Sequence, residues 1–190
     1  MTGKTHQIFG IGVGLAIFLN LAEPTYSPAT LAAVLVFSSL GSLLPDLDKA
    51  SAEFWHSFPV VGHSAGKIVD PFISHRNITH SVIGTALAAA LFYFILESFP
   101  DYWGVNTTVV FIVSVASYLS HLLADSFTVE GIPLFWPAKW KFGIPPKPFD
   151  GLRIVTGKWF ENLIIFPIIN ITLLLLVINS WPTIKIILFK

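Results

Sequence analysis

The chain has 190 residues, of which 54% are hydrophobic and 12% charged, with a mean hydropathy of +0.73. Soluble domains carry about 25% charged residues, so too little polar surface is available to cover a water-exposed globule and lipid becomes the expected solvent. Eleven basic residues balance eleven acidic ones with no basic block, which gives no indication of nucleic acid, and the absence of cysteine excludes disulfides and thiolate metal sites.

A membrane-crossing helix needs roughly 20 apolar residues, and five segments approach that length. The first, residues 7–22, is short and rich in glycine (Gly10, Gly12, Gly14), which suits close helix packing. Lys4 followed by an apolar run also resembles a secretory signal, but Asn20-Leu21-Ala22-Glu23 is a poor small-x-small cleavage site, so the segment is expected to be retained. The second, residues 29–44, ends at Leu44-Pro45-Asp46-Leu47-Asp48, where the proline stops the helix and frees the backbone to aim two carboxylates. The third, fourth and fifth cover residues 78–98, 105–125 and 161–180, and Leu163 to Ile178 carries no charge.

Short connections (23–28, 99–104) alternate with long ones (45–77, 126–160), and the long ones hold Trp55, Trp136, Trp140 and Trp159 as interfacial anchors. Gly131-Ile132-Pro133-Leu134-Phe135-Trp136 reads as a stretch lying at headgroup depth and not as a sixth span. No internal repeat is evident. The expected architecture is a single all-α membrane domain over residues 1–190, a bundle of about five transmembrane helices.

Five spans place the N-terminus and both long loops on one side. That side carries Lys4, Lys49, Lys67, Arg76, Lys139, Lys141, Lys147, Arg153 and Lys158, and the other only Lys185 and Lys190. Nine basic residues against two predicts a multi-pass cell-membrane protein with a cytoplasmic N-terminus.

The same face collects the chemistry. His6 precedes the first span, Asp46 and Asp48 follow the second, and His75 and His80 flank the start of the third. His121 and Asp125 share the last turn of the fourth, four residues apart on one helix face. Glu161 opens the fifth. The spacing puts His80 in the first turn of the third helix, with Asn77 or Thr79 as its cap. Ionisable groups near hydrocarbon are costly and are usually paired or functional. Imidazole and carboxylate suit zinc, manganese, iron or magnesium, and the number of candidates exceeds one three-ligand site, as expected for one or two divalent ions.

Each residue also has a plainer reading. His6 alone reads as a solvated terminal residue, Asp46 and Asp48 as loop carboxylates, and His121 with Asp125 as a hydrogen-bonded pair inside a bundle. Glu161 near a helix start fits the helix dipole. Arg76 is either a positive-inside residue or a clamp for phosphate. His56 and His63 read as solvated loop histidines. Co-location on one face is what lifts the set above these.

At these residues a family pattern emerges. Thr5-His6, Leu44-Pro45-Asp46-Leu47-Asp48, His75-Arg76-x-x-Thr79-His80-Ser81 and His121-Leu122-Leu123-Ala124-Asp125 together resemble the LexA-regulated, membrane-bound metal-dependent hydrolases of bacterial and archaeal inner membranes. The likeness runs from the N-terminus to about residue 161, and Asn77 departs from it where glycine is expected. It implies inner-membrane location and metal-dependent hydrolysis, and for some relatives a link to the DNA-damage response. The expected centre is a polar metal-binding pocket at the cytoplasmic end. Its ligands are Asp46, Asp48, His75, His80, His121 and Asp125, with His6 as a further ligand. Glu161 is the expected general base or additional ligand, and Arg76 the stabiliser of an anionic transition state. A site at headgroup depth favours a lipid-like or amphiphilic phosphoester. The rival expectations are a scaffold with a closed structural metal site and a transporter; the second conflicts with the lack of midplane ionisable residues and of repeats.

Overall fold

The computed structural model describes residues 1–21, 26–48 and 78–189. Among these, helices occupy all five expected segments: α1 Gly3–Leu21, α2 Pro28–Leu43, α3 Val82–Glu97, α4 Thr107–Ser126 and α5 Phe166–Asn179. A sixth, α6 Trp181–Leu188, was not expected from the sequence. The described residues form no strand, only isolated bridges pairing Thr128 with Ile154 and Ile132 with Phe142.

Among the described residues, three stretches are long and apolar enough to cross a membrane: Pro28–Leu47, Thr107–Ser126 and Glu161–Asn179. α3 is equally apolar but has 16 residues, about 24 Å at 1.5 Å per residue. α1 has 19 residues, but Lys4, His6 and Gln7 in its opening turns dilute its apolar run.

Helix starts follow local capping chemistry. Ser27, Ser81 and Asn106 each stand in extended conformation before α2, α3 and α4, and accept from the backbone N–H three residues on. The third helix therefore begins at Val82, later than the expected residue 78, because the Ser81 hydroxyl takes the cap. Pro45 does not release the chain after α2 either. The backbone continues as a 3₁₀ turn over Leu44–Asp48, which tolerates proline early in a helical turn. Before α5, residues Glu161–Ile165 form a π turn.

α1, α2 and α4 pack against one another as the central layer, α3 lies against α4, and α5 against α1. Lipid supplies little hydrophobic drive between helices, so close van der Waals packing must hold them. The expected glycine packing is observed at two of the three sites in α1. A Cβ on Gly10 would lie 2.2 Å from Ser42 Cβ, and one on Gly14 2.0 Å from Ser38 Oγ. Gly12 faces open space instead. Ser117 Oγ donates to the Gly10 carbonyl at 3.0 Å, joining α4 to α1. Phe18, Val34, Val110 and Val113 are fully buried in the apolar core. At the far end, Thr30 Oγ1 accepts from Asn106 N at 3.0 Å, so the starts of α2 and α4 are tied.

Residues 127–160 lie outside the long helices, in keeping with the expected absence of a sixth span. Gly131, at φ 62°, turns the chain so that Ile132 and Phe142 exchange backbone hydrogen bonds of 2.8 and 2.7 Å. The Leu134 carbonyl accepts from Val82 N at 3.0 Å, docking this excursion on the start of α3. Trp140 and Trp159 are exposed at 76% and 67%, as interfacial anchors require.

Candidate metal centre

Four segments deliver donors to one end of the bundle. His6 comes from the second turn of α1, Asp46 from the 3₁₀ turn after α2, His80 from the turn before α3, and His121 and Asp125 from the end of α4. His80 precedes its helix by two residues and does not sit in the first turn, a correction that follows from the Ser81 cap. Its turn is fixed from two sides. Gly84 lies so close beneath it that an added Cβ would come within 2.1 Å of the Ile78 carbonyl oxygen. Tyr118, one turn before His121 on α4, donates its hydroxyl to the Thr79 carbonyl.

Asp125 is the hub. His6 Nε2 donates to its Oδ1 at 3.0 Å, and the Met1 ammonium group donates to the same oxygen. The other oxygen, Oδ2, lies 3.5 Å from His80 Nε2 and 3.8 Å from His121 Nε2. Asp46 closes the far side, its Oδ1 3.8 Å from His80 Nε2 and its Oδ2 3.9 Å from His121 Nε2. The His6 and His121 rings stack with centroids 3.6 Å apart, and His80 meets His121 edge-on at 5.2 Å. His6, His80, His121 and Asp125 are completely buried, whereas the Asp46 side chain keeps 18% of its surface exposed.

One tautomer can be assigned. His121 Nδ1 lies 2.6 Å from the Ser42 carbonyl oxygen, which only accepts, so Nδ1 carries the proton. In the neutral ring, Nε2 then presents its lone pair toward Asp46 and Asp125. Among the described residues, His121 Nε2 and His6 Nδ1 are buried without a hydrogen-bond partner. Leaving such atoms unsatisfied costs about 1–3 kcal/mol each. A cation accepting the imidazole lone pair removes that cost.

The donor set therefore fits a divalent ion. Two overlapping triads, His6-Asp46-His121 and His80-His121-Asp125, each bring one donor atom per residue within 4.8 Å of one another. All are nitrogen or carboxylate oxygen, the ligands zinc, manganese and magnesium accept. The backbone carbonyl holding His121 Nδ1 is the outer partner that metal-bound imidazoles usually have.

The backbone of Asp48 ends the 3₁₀ turn. His75, Arg76, His56 and His63 lie outside the described residues. Glu161 is buried but its carboxylate is engaged elsewhere: Oε1 accepts from Thr2 N and Thr5 Oγ1, and Oε2 from Gly157 N, all at 2.7 Å. It clamps the first turn of α1, and with it His6, to the start of the last span. Sequence reasoning missed Ser42, because a backbone carbonyl leaves no mark in residue type. Thr5 and Tyr118 had a signal: one adjoins His6, and the other lies three residues before His121 on the same helix face.

Comparison with known proteins places the chain among inner membrane proteins. A family model described as YdjM inner membrane protein matches residues 1–185. The inner membrane protein YdjM of Escherichia coli K12 is 31% identical over 150 residues, covering 76% of this chain and 70% of that protein, and the Shigella flexneri protein of the same name matches equally. An uncharacterized protein YvsG of Bacillus subtilis is 29% identical over 166 residues, covering 87% and 88% of the two chains. No solved structure matches the chain.

Proposed function

The chain belongs to the YdjM inner membrane protein family, and for this member we propose a membrane-bound, metal-dependent hydrolase acting on a phosphoester or lipid-like substrate at the cytoplasmic face. The observation that carries the reading is the convergence of three buried imidazoles on two carboxylates, with His121 Nε2 left without a hydrogen-bond partner at their centre. His6, Asp46, His80, His121 and Asp125 hold one or two divalent ions, and Asp48 and His75 are further ligands by sequence position. Such an ion supplies Lewis acidity and makes water a competent nucleophile near neutral pH.

The protein groups take distinct roles. Ser42 fixes the His121 tautomer, and Asp125 orients His6 and His80. Asp46 is the one of these donors with appreciable exposure. Arg76 clamps the anionic group of the substrate. Glu161 acts as a positioning residue, because both its oxygens are spent on donors of the chain itself. Five spans with a cytoplasmic N-terminus complete the proposal, α1 and α3 joining the three longer stretches in crossing the bilayer.

A second reading draws on the burial of the cluster. Closed, dry sites are the habit of structural metals, and four of the five donors are fully buried. Metal analysis of purified wild type, His80→Ala and Asp125→Ala tests the centre itself. We expect bound zinc or manganese in the wild type and its loss in both variants; unchanged stoichiometry in both removes the proposal. A phosphoester and phospholipid screen with added manganese or zinc then separates enzyme from scaffold, the scaffold predicting metal without turnover.

A further inference from the structure

Beside the centre, α1 and α5 leave a lateral groove that the helix packing does not fill. It has a volume of about 430 Å³ and is lined by Phe9, Gly12, Ala16, Ile168, Ile169 and Leu173, among others. Gly12 forms part of its floor. Gly10 and Gly14 lack side chains because α2 presses on them, but a Cβ on Gly12 would touch nothing within 4 Å. The missing side chain there makes space that no neighbouring helix occupies. A second hollow of about 240 Å³ continues the groove, sharing Phe9, Ile168 and Ile169 and adding Ile165, Leu123, Ala124 and Met1. Ala124 adjoins Asp125 in the chain, and the Met1 ammonium group contacts the Asp125 carboxylate. The second hollow thus reaches Met1, at the edge of the His and Asp cluster.

Its dimensions identify the occupant. From Ile165 to Leu176 the groove follows eleven residue-to-residue steps, about 16 Å at 1.5 Å per step. One leaflet of hydrocarbon is about 15 Å deep, half of a bilayer core of roughly 30 Å. Glu161–Asn179 is one of the three stretches able to cross the membrane, and little of it is fully buried. The walls are almost wholly apolar. We infer that this groove seats one acyl chain of a glycerophospholipid from the cytoplasmic leaflet, holding the headgroup beside Met1 on the Asp125 side of the cluster. The inference deepens the proposed hydrolase reading by naming its substrate class. A second copy of the chain is the weaker occupant, because a packed helix would use α5 beyond Leu176, where the groove stops.

The test needs no turnover. Protein reconstituted in vesicles of phosphatidylethanolamine and phosphatidylglycerol is illuminated with phosphatidylethanolamine bearing a diazirine in one acyl chain, and adducts are mapped by mass spectrometry. We expect adducts concentrated on residues 9–16 and 165–176, above those on the exposed α3 residues Leu87, Leu91 and Phe94. Gly12→Phe and, separately, Ala16→Phe should lower the groove adducts severalfold and leave the α3 adducts unchanged. Adducts no denser in the groove than on α3, or unaffected by both substitutions, overturn the inference. Metal content in the same samples reports on the centre alone, so a wild type that labels in the groove but holds no metal defeats the hydrolase reading and leaves the lipid site standing.

Discussion

The contact between His121 Nδ1 and the Ser42 carbonyl crosses from α4 to α2 and commits one ring nitrogen to donating. The other nitrogen thereby presents its lone pair to the cluster, so the chemistry His121 offers there depends on helix spacing as well as on residue type. Glu161 illustrates the opposite case. Sequence position offered it as a base or ligand, since it begins a span on the same face as the histidines, and its actual use by Thr2, Thr5 and Gly157 depends on tertiary contacts that no local pattern encodes. Hydrogen bonds to charged groups contribute about 1.5–3 kcal/mol. Glu161→Gln should therefore destabilise the protein by about 1–3 kcal/mol while metal content stays near the wild-type value. Thermal unfolding in detergent, paired with metal analysis, checks both halves; metal loss without destabilisation would return Glu161 to the ligand set.

Helices carry this precision through contacts between small residues. Gly14 accepts no larger side chain without displacing Ser38 or Val113, since an added Cβ would fall 2.0 Å from Ser38 Oγ and 2.8 Å from Val113 Cγ1. Gly14→Leu should cost about 1–3 kcal/mol by overpacking, whereas Gly12→Leu should be near neutral, and the two melting temperatures compared in one detergent decide it. The sequence made the five helical segments legible because apolar runs of that length have few alternatives in lipid. Their ends were less legible. Ser81 and Pro45 moved the boundaries of α3 and α2 because side-chain capping and 3₁₀ turns compete locally with the helix, and α6 lay beyond the expected end of the fifth segment at residue 180.

Across the molecule, the positive-inside count predicts where the cluster lies relative to the bilayer. An alkaline phosphatase fusion at residue 60 should be inactive and one at residue 25 active; the reverse pattern would invert the orientation. The meeting of His6, Asp46, His80, His121 and Asp125 was readable in advance because alternating spans return each of their positions to one face. The stacking of His6 on His121 and the hub role of Asp125 were not, since they depend on helix rotation and on glycine-mediated spacing. The 119-residue separation of His6 from Asp125 carries a further consequence, which concerns time. At a synthesis rate of about 5–20 residues per second, roughly 6–24 s separate the emergence of the first donor from that of its partner. For that interval the opening turn of α1 lacks its tie to Asp125, and the clamp from Glu161 is made later still. The cluster is thus completed only after α4 has been made, so a chain arrested before residue 125 lacks the carboxylate on which His6 and His80 converge.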